Sequence, residues 1–380
     1  MSDERKKRKI RIELRKNRDK LARERDWTRQ YLEGEVEETE GTVRAERVKA
    51  KGELSRRRTI VAEVAEEKGD LPVLPAVDLS HCLPGRVLRV QGLYSTVLTD
   101  DGRTFRCVVR KLLRSLQIDE RNIVVTGDRV WIRPATSQEG VIERVEPRHG
   151  LLTRSVRGKE HIIAANVDQV VIVASLAEPV LKPHLVDRYL VSAEKGHLRP
   201  IICFNKADLV DLVNYQWLIG MYSQLGIPVI PTSARTGMGI DRLRQLLKDR
   251  QTVFAGQSGV GKSSLLNAIQ PGLQLKVREV SEATQKGRHT TTTAELIGLD
   301  FGAWVVDTPG IRQFALWEIA VEELDGYFPE FRPFVAHCQF PGCSHTHEAG
   351  CAVKEAVRLR QIPMQRYETY LGLRQGETYE

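Results

Sequence analysis

GQSGVGKS, Gly256 to Ser263, matches the phosphate-binding pattern GxxxxGK[ST], and NKAD, Asn205 to Asp208, matches the guanine-reading pattern NKxD. In an ordinary guanine-nucleotide domain the phosphate loop opens the chain and NKxD follows far downstream. Here NKAD comes first, followed by Ser233-Ala234, then the phosphate loop, then the threonines of GRHTTTT (residues 287–293), then DTPG (residues 307–310). The five elements make a complete set in circularly permuted order.

Each element brings its own chemistry. A glycine-rich turn between a strand and a helix lets backbone N–H groups point at phosphate oxygens, and the helix N-terminus adds its positive dipole end. Residues 252–255 (TVFA) read as that strand and residues 264–269 as the helix. Gly256, Gln257, Ser258, Gly259, Val260 and Gly261 then form the cradle, with Ser264 on the first helical turn. Lys262 is placed to reach the β and γ oxygens and Ser263 to ligate Mg²⁺. Asp307 ends a buried strand, where a carboxylate serves Mg²⁺ at second hand, and Gly310 lets its N–H approach the γ-phosphate.

NKAD follows the apolar run 201–204, so Asn205, Lys206 and Asp208 project from a strand end. Asp208 can accept from N1–H and from the exocyclic amine of guanine, a pair that adenine does not offer. A site built on such bonds rejects a ligand that leaves them unpaired. Ser233 and Ala234 follow another strand, residues 229–232, and help to place the base edge. Among the threonines, Thr291 and Thr292 are candidates to reach Mg²⁺ in the GTP-bound state, and the distance back from the strand at 296–299 favours Thr292.

Strand-like runs at 170–174, 201–204, 229–232, 252–255 and 304–306 alternate with helical stretches such as 185–195 and 240–248. That pattern predicts a doubly wound parallel sheet with nucleotide at the strand C-terminal ends. Upstream, residues 84–145 carry five short strands (GRVLRV, YSTVLTD, RTFRCVVR, DRVWIR and GVIERV) broken by turn residues, which predicts a small OB-fold barrel. Ten Lys or Arg against five acids between Pro84 and Arg133 suit an RNA platform. Tyr94, Phe105 and Trp131 could be core or stacking residues; Trp131, between Val130 and Ile132, is assigned to the core.

Downstream, Cys338, Cys343, His345 and Cys351 follow the spacing C-x4-C-x-H-x5-C, a closed tetrahedral donor set for one structural Zn²⁺, with His337 and His347 also within range. Helices are expected after it, at 352–360 and 364–374.

The chain has 380 residues, 41% of them hydrophobic, and a formal net charge of +8, which fits several soluble domains and favours a polyanionic partner. It has no run of 18 apolar residues and a charged rather than signal-like N-terminus, so a cytoplasmic protein without membrane contact is expected. Residues 1–32 hold thirteen Lys or Arg against six Asp or Glu. Propensity permits a helix there, serving either as a solvated tail or as an arm that orders on RNA. Residues 71–83 read as linker.

The motif order resembles the circularly permuted, small-ribosomal-subunit-dependent RsgA (YjeQ) GTPase family, from about Pro84 to the C-terminus. That resemblance implies a multi-domain α/β protein: a charged extension and linker (1–83), an OB-fold RNA-binding barrel (84–150), a circularly permuted P-loop GTPase domain (151–311) and a zinc-binding helical module (312–380). It also selects His345 as the imidazole ligand and points to His289 as the group that orients the attacking water. The position after DTPG, where many GTPases carry glutamine, is Ile311, and Gln313 lies two residues late. An apolar side chain cannot hold water, so slow basal turnover and completion of the site by a partner are expected.

The implied activity is hydrolysis of GTP to GDP and phosphate in late maturation of the small ribosomal subunit. The implied partners are that subunit, its rRNA and other assembly factors, with the protein acting as a monomer. The alternatives are a GTPase serving another RNA or a translation factor, an ATPase, and a nucleotide-gated RNA-binding module with negligible turnover.

Overall fold

The computed structural model describes residues 6–13, 57–64, 74–75, 79–110, 123–155, 160–273, 294–307 and 320–377. The chain forms two units, Met1–Asp78 with Arg110–Asp119, and Leu79–Val109 with Glu120–Glu380.

In the first unit, strands β1 (Lys6–Glu13) and β2 (Arg57–Val64) pair antiparallel from Lys6↔Val64 to Glu13↔Arg57, and the short β3 (Leu74–Pro75) adds to β2. The helix expected across the basic N-terminus is therefore corrected to a strand over Lys6–Glu13. Ile10 and Ile12 alternate with charged residues, a period of two, and the partner contributes the β-branched run Thr59-Ile60-Val61. Within residues 71–83, expected as linker, the structure describes the two-residue β3 and the approach to β4, which begins at Leu83.

The second unit opens with a five-stranded barrel. It consists of β4 (Leu83–Gln91), β5 (Tyr94–Thr99), β6 (Thr104–Val109), β7 (Arg129–Pro134) and β8 (Glu139–Val145). Their order is β4-β5-β6-β8-β7, with β6–β8 parallel and a β4–β7 pairing that closes the barrel. Closure removes the free edges. Alternate residues Val87, Val97, Phe105, Cys107, Val130, Ile132 and Ile142 fill the interior. Trp131 does not join them, correcting its assignment to the core. Strand side chains alternate, so two buried neighbours put the residue between them on the outer face, where its indole N–H donates to Glu146 at 2.7 Å.

After a hairpin, β9 (Leu152–Ser155) with β10 (Glu160–Ala164), the chain enters a parallel sheet. Its strands are β11 (Gln169–Ser175), β12 (Arg199–Asn205), β13 (Val229–Pro231), β14 (Gln251–Ala255), β15 (Glu295–Gly298) and β16 (Trp304–Asp307). The order is β13-β12-β11-β14-β16-β15, with only β15 antiparallel to its neighbour. All of β11 is buried. Val170, Ile172 and Ala174 face a core closed by helices Pro183–Lys195 and Gln216–Gln224, while Val171 and Val173 face one closed by Ile240–Leu247 and Lys262–Ile269. Such two-sided burial is why the strand reads as a continuous apolar run.

The C-terminal segment packs Leu324, Phe328, Phe331, Val353, Ile362 and Tyr370 around one another and against Val191 of helix Pro183–Lys195. An ionic knot joins the same surfaces. Arg366, 1% exposed, lies 3.1 Å from Asp187 and 2.6 Å from Glu330. Asp187 also accepts from Tyr222 at 2.9 Å, from Thr369 at 2.7 Å and from the Gln365 amide. Burial alone would lower the Arg366 pKa, but the two carboxylates outweigh it and raise it. Arg366→Ala would strand both carboxylates, so it should cost about 3–5 kcal/mol, read in urea denaturation as a lower midpoint than for Arg358→Ala, whose partner Glu355 is exposed.

Candidate nucleotide and metal sites

The phosphate loop joins β14 to helix Lys262–Ile269, as the motif requires. Gly256 has φ 137°, Gly259 84° and Gly261 95°, conformations that L side chains rarely adopt. A Cβ on Gly256 would stand 2.1 Å from the Val173 carbonyl, and one on Gly261 2.4 Å from the Asn205 amide. The loop is thus held against β11 on one side and NKAD on the other. Gln257 and Ser258 form its outer bend, Val260 is buried beneath it, and Ser263 and Ser264 lie on the first helical turn, half-buried.

NKAD follows β12 directly and makes the cross-braces. The Asn205 side chain donates to the Val260 carbonyl at 2.8 Å, and Lys206 donates to the Gly259 carbonyl at 2.9 Å and to the Glu178 carbonyl. Lys206 itself is left-handed, φ 62°, which turns the chain so that Asp208 comes back over the cleft. Asp208 lines an open cleft of about 460 Å³ with Asn205, Ser233, Ala234, Gly261 and Ser264. A hydrogen bond from Ser233, reinforced by Arg235, holds its carboxyl below the usual range and keeps it an acceptor. Arg235 donates to Asp208 at 3.0 Å. Sequence reasoning missed Arg235, although a cation directly after Ser233-Ala234 was the available signal.

Lys262 donates to the Gly256 and Gln257 carbonyls at 2.7 and 2.8 Å. Burial pushes its pKa down to about 8. A phosphate there would favour the charged form, since opposite charge raises a lysine pKa. Asp307 ends β16 and sits opposite Glu295 across the β15 ladder. The candidates His289, Thr291, Thr292 and Gly310, with Ile311 and Gln313, lie outside the described residues.

The second cluster brings all four sequence candidates together. The donor atoms of Cys338, Cys343, His345 and Cys351 lie within 4.8 Å of one another. Cys338 Sγ to Cys351 Sγ is 4.0 Å, and His345 Nδ1 is 3.6 and 3.4 Å from those two sulfurs. Metal–sulfur bonds of about 2.3 Å in a tetrahedron give edges of about 3.8 Å, so the set fits one tetrahedral cation. The Asp325 carboxylate lies 3.5 Å from the other imidazole nitrogen, where it can orient the ring. Without a cation the arrangement works against thiolates, because burial first, and then Cys351 and Cys338, push the Cys343 thiol up to about 12. His347 turns instead to Thr346, at 3.0 Å, and His337 stays out of the cluster.

Comparison with known proteins agrees with this geometry. Residues 145–317 match the family model described as RsgA GTPase. The protein named small ribosomal subunit biogenesis GTPase RsgA from Thermotoga petrophila is 45% identical over 75% of this chain and 94% of its own length. The chain belongs to the RsgA GTPase family. An RsgA of the same name from Chlorobaculum parvum is 43% identical over 78% of this chain and 98% of its own. Among solved structures, YjeQ from Thermotoga maritima aligns with TM-score 0.67 and 39% identity, covering 78% of this chain and 98% of that one. YloQ, described as a circularly permuted GTPase, aligns with TM-score 0.62 and 30% identity, over 80% and 98%. RsgA family membership makes this chain a GTPase, with GTP, GDP and Mg²⁺ as the implied ligands, and accounts for the permuted motif order.

Two measurements check the sites. GDP affinity should fall as pH rises above about 8, because binding then requires a proton on Lys262; in Lys262→Arg, whose guanidinium stays charged, that part of the slope should vanish in calorimetric titrations. Stripping metal with a chelator, or Cys351→Ser, should lower the thermal midpoint of the C-terminal module and leave GDP binding in place.

Proposed function

We propose that this chain hydrolyses GTP as a biogenesis factor of the small ribosomal subunit, acting late in maturation and stimulated by the subunit itself. The observation that carries the nucleotide half is the cross-brace of Asn205 and Lys206 onto the phosphate loop, which builds one site from motifs in permuted order. The subunit half is supported by relatives named for that role that align over nearly their whole length.

In this reading Asn205, Lys206, Asp208, Ser233 and Ala234 hold guanine, with Asp208 accepting from its two donors. Residues Gly256 to Ser264 wrap the phosphates, and Lys262 neutralises developing charge on the oxygens. Ser263 and Thr292 would ligate Mg²⁺, with Thr291 as the alternative threonine and Asp307 behind them, while the Gly310 N–H would approach the γ-phosphate. His289 orients the water. Mg²⁺ supplies charge neutralisation when bound. Cys338, Cys343, His345 and Cys351 hold one structural Zn²⁺, which pins the loop before helix Ala352–Arg358 and leaves no open position for chemistry.

The barrel is the proposed rRNA platform. Its outer face carries exposed Arg103, Arg106, Arg129 and Arg133, and Arg106 stacks 3.7 Å over the half-exposed Tyr94. Phe105 is core. Three of those arginines are already paired with Asp101, Asp100 and Glu143, so Arg106 and Tyr94 are the stronger base-contacting candidates. The protein works as a cytoplasmic monomer beside other assembly factors. Among the described residues no helix is long and apolar enough to cross a membrane.

Steady-state GTP hydrolysis with small subunits, large subunits and no subunits tests the reading. Selective acceleration by the small subunit is expected, and equal rates in all three would overturn it. Asp208→Asn should lower GTP affinity at least tenfold while xanthosine triphosphate, which offers an oxygen in place of the guanine amine, gains; unchanged selectivity in nucleotide competition would remove Asp208 from base recognition.

A further inference from the structure

The base-reading carboxylate has a cationic partner within its own chain. NKAD follows β12 and Ser233 follows β13, and backbone bonds hold the two segments side by side. Thr232 N–H donates to the Phe204 carbonyl at 2.8 Å, and Ala207 N–H donates to the Thr232 carbonyl at 3.0 Å. After Ser233 the chain turns tightly. Gly237 N–H donates to the Ser233 carbonyl and Ser233 N–H to the Met238 carbonyl, both at 3.0 Å, with Gly237 at φ 83°. The hydroxyl oxygen of the fully buried Ser233 accepts from Thr236 N–H at 3.1 Å, which leaves the hydroxyl hydrogen for Asp208. Arg235 stands on this turn, and its Nε–H reaches back to Asp208 Oδ2 at 3.0 Å.

The two partners differ in exposure. The Asp208 side chain is 10% exposed and that of Arg235 77%, so the guanidinium comes from solvent onto a sheltered acceptor. Both line the same cleft, with Asn205, Ala234 and Gly261. The pair does not decide the charge on Asp208. A carboxyl ordinarily titrates at about pH 4, and Asp208 lower still, so it is ionised at neutral pH in any case. What the pair decides is occupancy. A carboxylate offers about four lone-pair directions over two oxygens. Ser233 takes one of them and Arg235 another, from the side of the cleft. Guanine, with N1–H and the exocyclic amine in parallel, calls on both oxygens at once.

We infer that Arg235 is a specificity-determining competitor for guanine, holding an Asp208 oxygen that a base with two donors has to take over and that a base with one donor can leave in place. This rests on the proposed reading of Asp208 as the guanine acceptor. Hypoxanthine keeps the ring and the N1–H of guanine and lacks the exocyclic amine, so an inosine nucleotide leaves one oxygen to Arg235. Arg235 thereby weakens guanine nucleotides selectively. It narrows the margin between the two bases and eases the departure of GDP after hydrolysis.

Calorimetric titration of the full-length protein with GDP and with IDP tests this on the parent, Arg235→Ala and Arg235→Lys. The two nucleotides carry the same phosphates, so the loss of a cation's general attraction for phosphate cancels in the ratio of their dissociation constants. Arg235→Ala should raise the IDP-to-GDP ratio about threefold, within the reach of an exposed ion pair. Arg235→Lys, which keeps a cationic donor, should stay close to the parent. Added KCl screens the pair, so the parent ratio should climb towards that of Arg235→Ala, whose own ratio stays flat. A ratio in Arg235→Ala equal to or below the parent's overturns the inference, as does a rise that Arg235→Lys reproduces in full. A parent that binds IDP as tightly as GDP would fail the reading of Asp208 itself and take the inference with it, whereas a parent that prefers GDP keeps that reading whatever the Arg235 variants do.

Discussion

The hydrogen bond from the Asn205 amide to the Val260 carbonyl is the constraint on which the nucleotide site depends. The partners are 55 positions apart, and the chain between them contains two α-helices, Gln216–Gln224 and Ile240–Leu247, and the strands β13 and β14. Because both lie at the C-terminal ends of parallel strands, β12 and β14, that flank β11, the sheet supplies the alignment and the amide fixes the last ångström. Lys206 repeats the link one residue further along, to Gly259. What survives permutation is the spatial order of the strands, and side chains at their ends carry the information that sequence order has lost.

Much of this was legible in the chain because it is local. The phosphate loop declares its glycines, its lysine and its flanking strand and helix within a short span, and the structure places the strand at Gln251–Ala255 and the helix at Lys262–Ile269. The cysteine cluster is legible for the same reason, as its donors fall within a single loop. Helix Met364–Arg374 could be read to its ends because Pro363 precedes it and Gly376 follows.

Other features depend on partners distant in sequence. β1 is a strand because Arg57–Val64 lies beside it, and composition alone could not supply that neighbour. Trp131 lies on the outer face although apolar residues flank it, because strand periodicity puts the residue between two buried neighbours on the opposite side. Arg366 and Asp187 are 179 positions apart in the chain and look like ordinary surface residues of two helices. Nothing local marks them as a fully buried pair. Arg235, directly after Ser233-Ala234, meets Asp208 only because the fold brings the ends of two strands together.

The knot of Asp187, Arg366 and Glu330 also bears on how this surface can change over evolutionary time. The two carboxylates are tolerable only while Arg366 is present, so replacing Arg366 alone leaves an uncompensated interior, whereas losing either carboxylate still leaves an arginine–carboxylate pair. A lineage that exchanged the cluster for apolar side chains would have to cross intermediates carrying an unpaired buried ion. The interface between the GTPase domain and the C-terminal module is consequently expected to drift as a block. Its loops are free to vary, while Arg366 cannot change unless its carboxylate partners change with it.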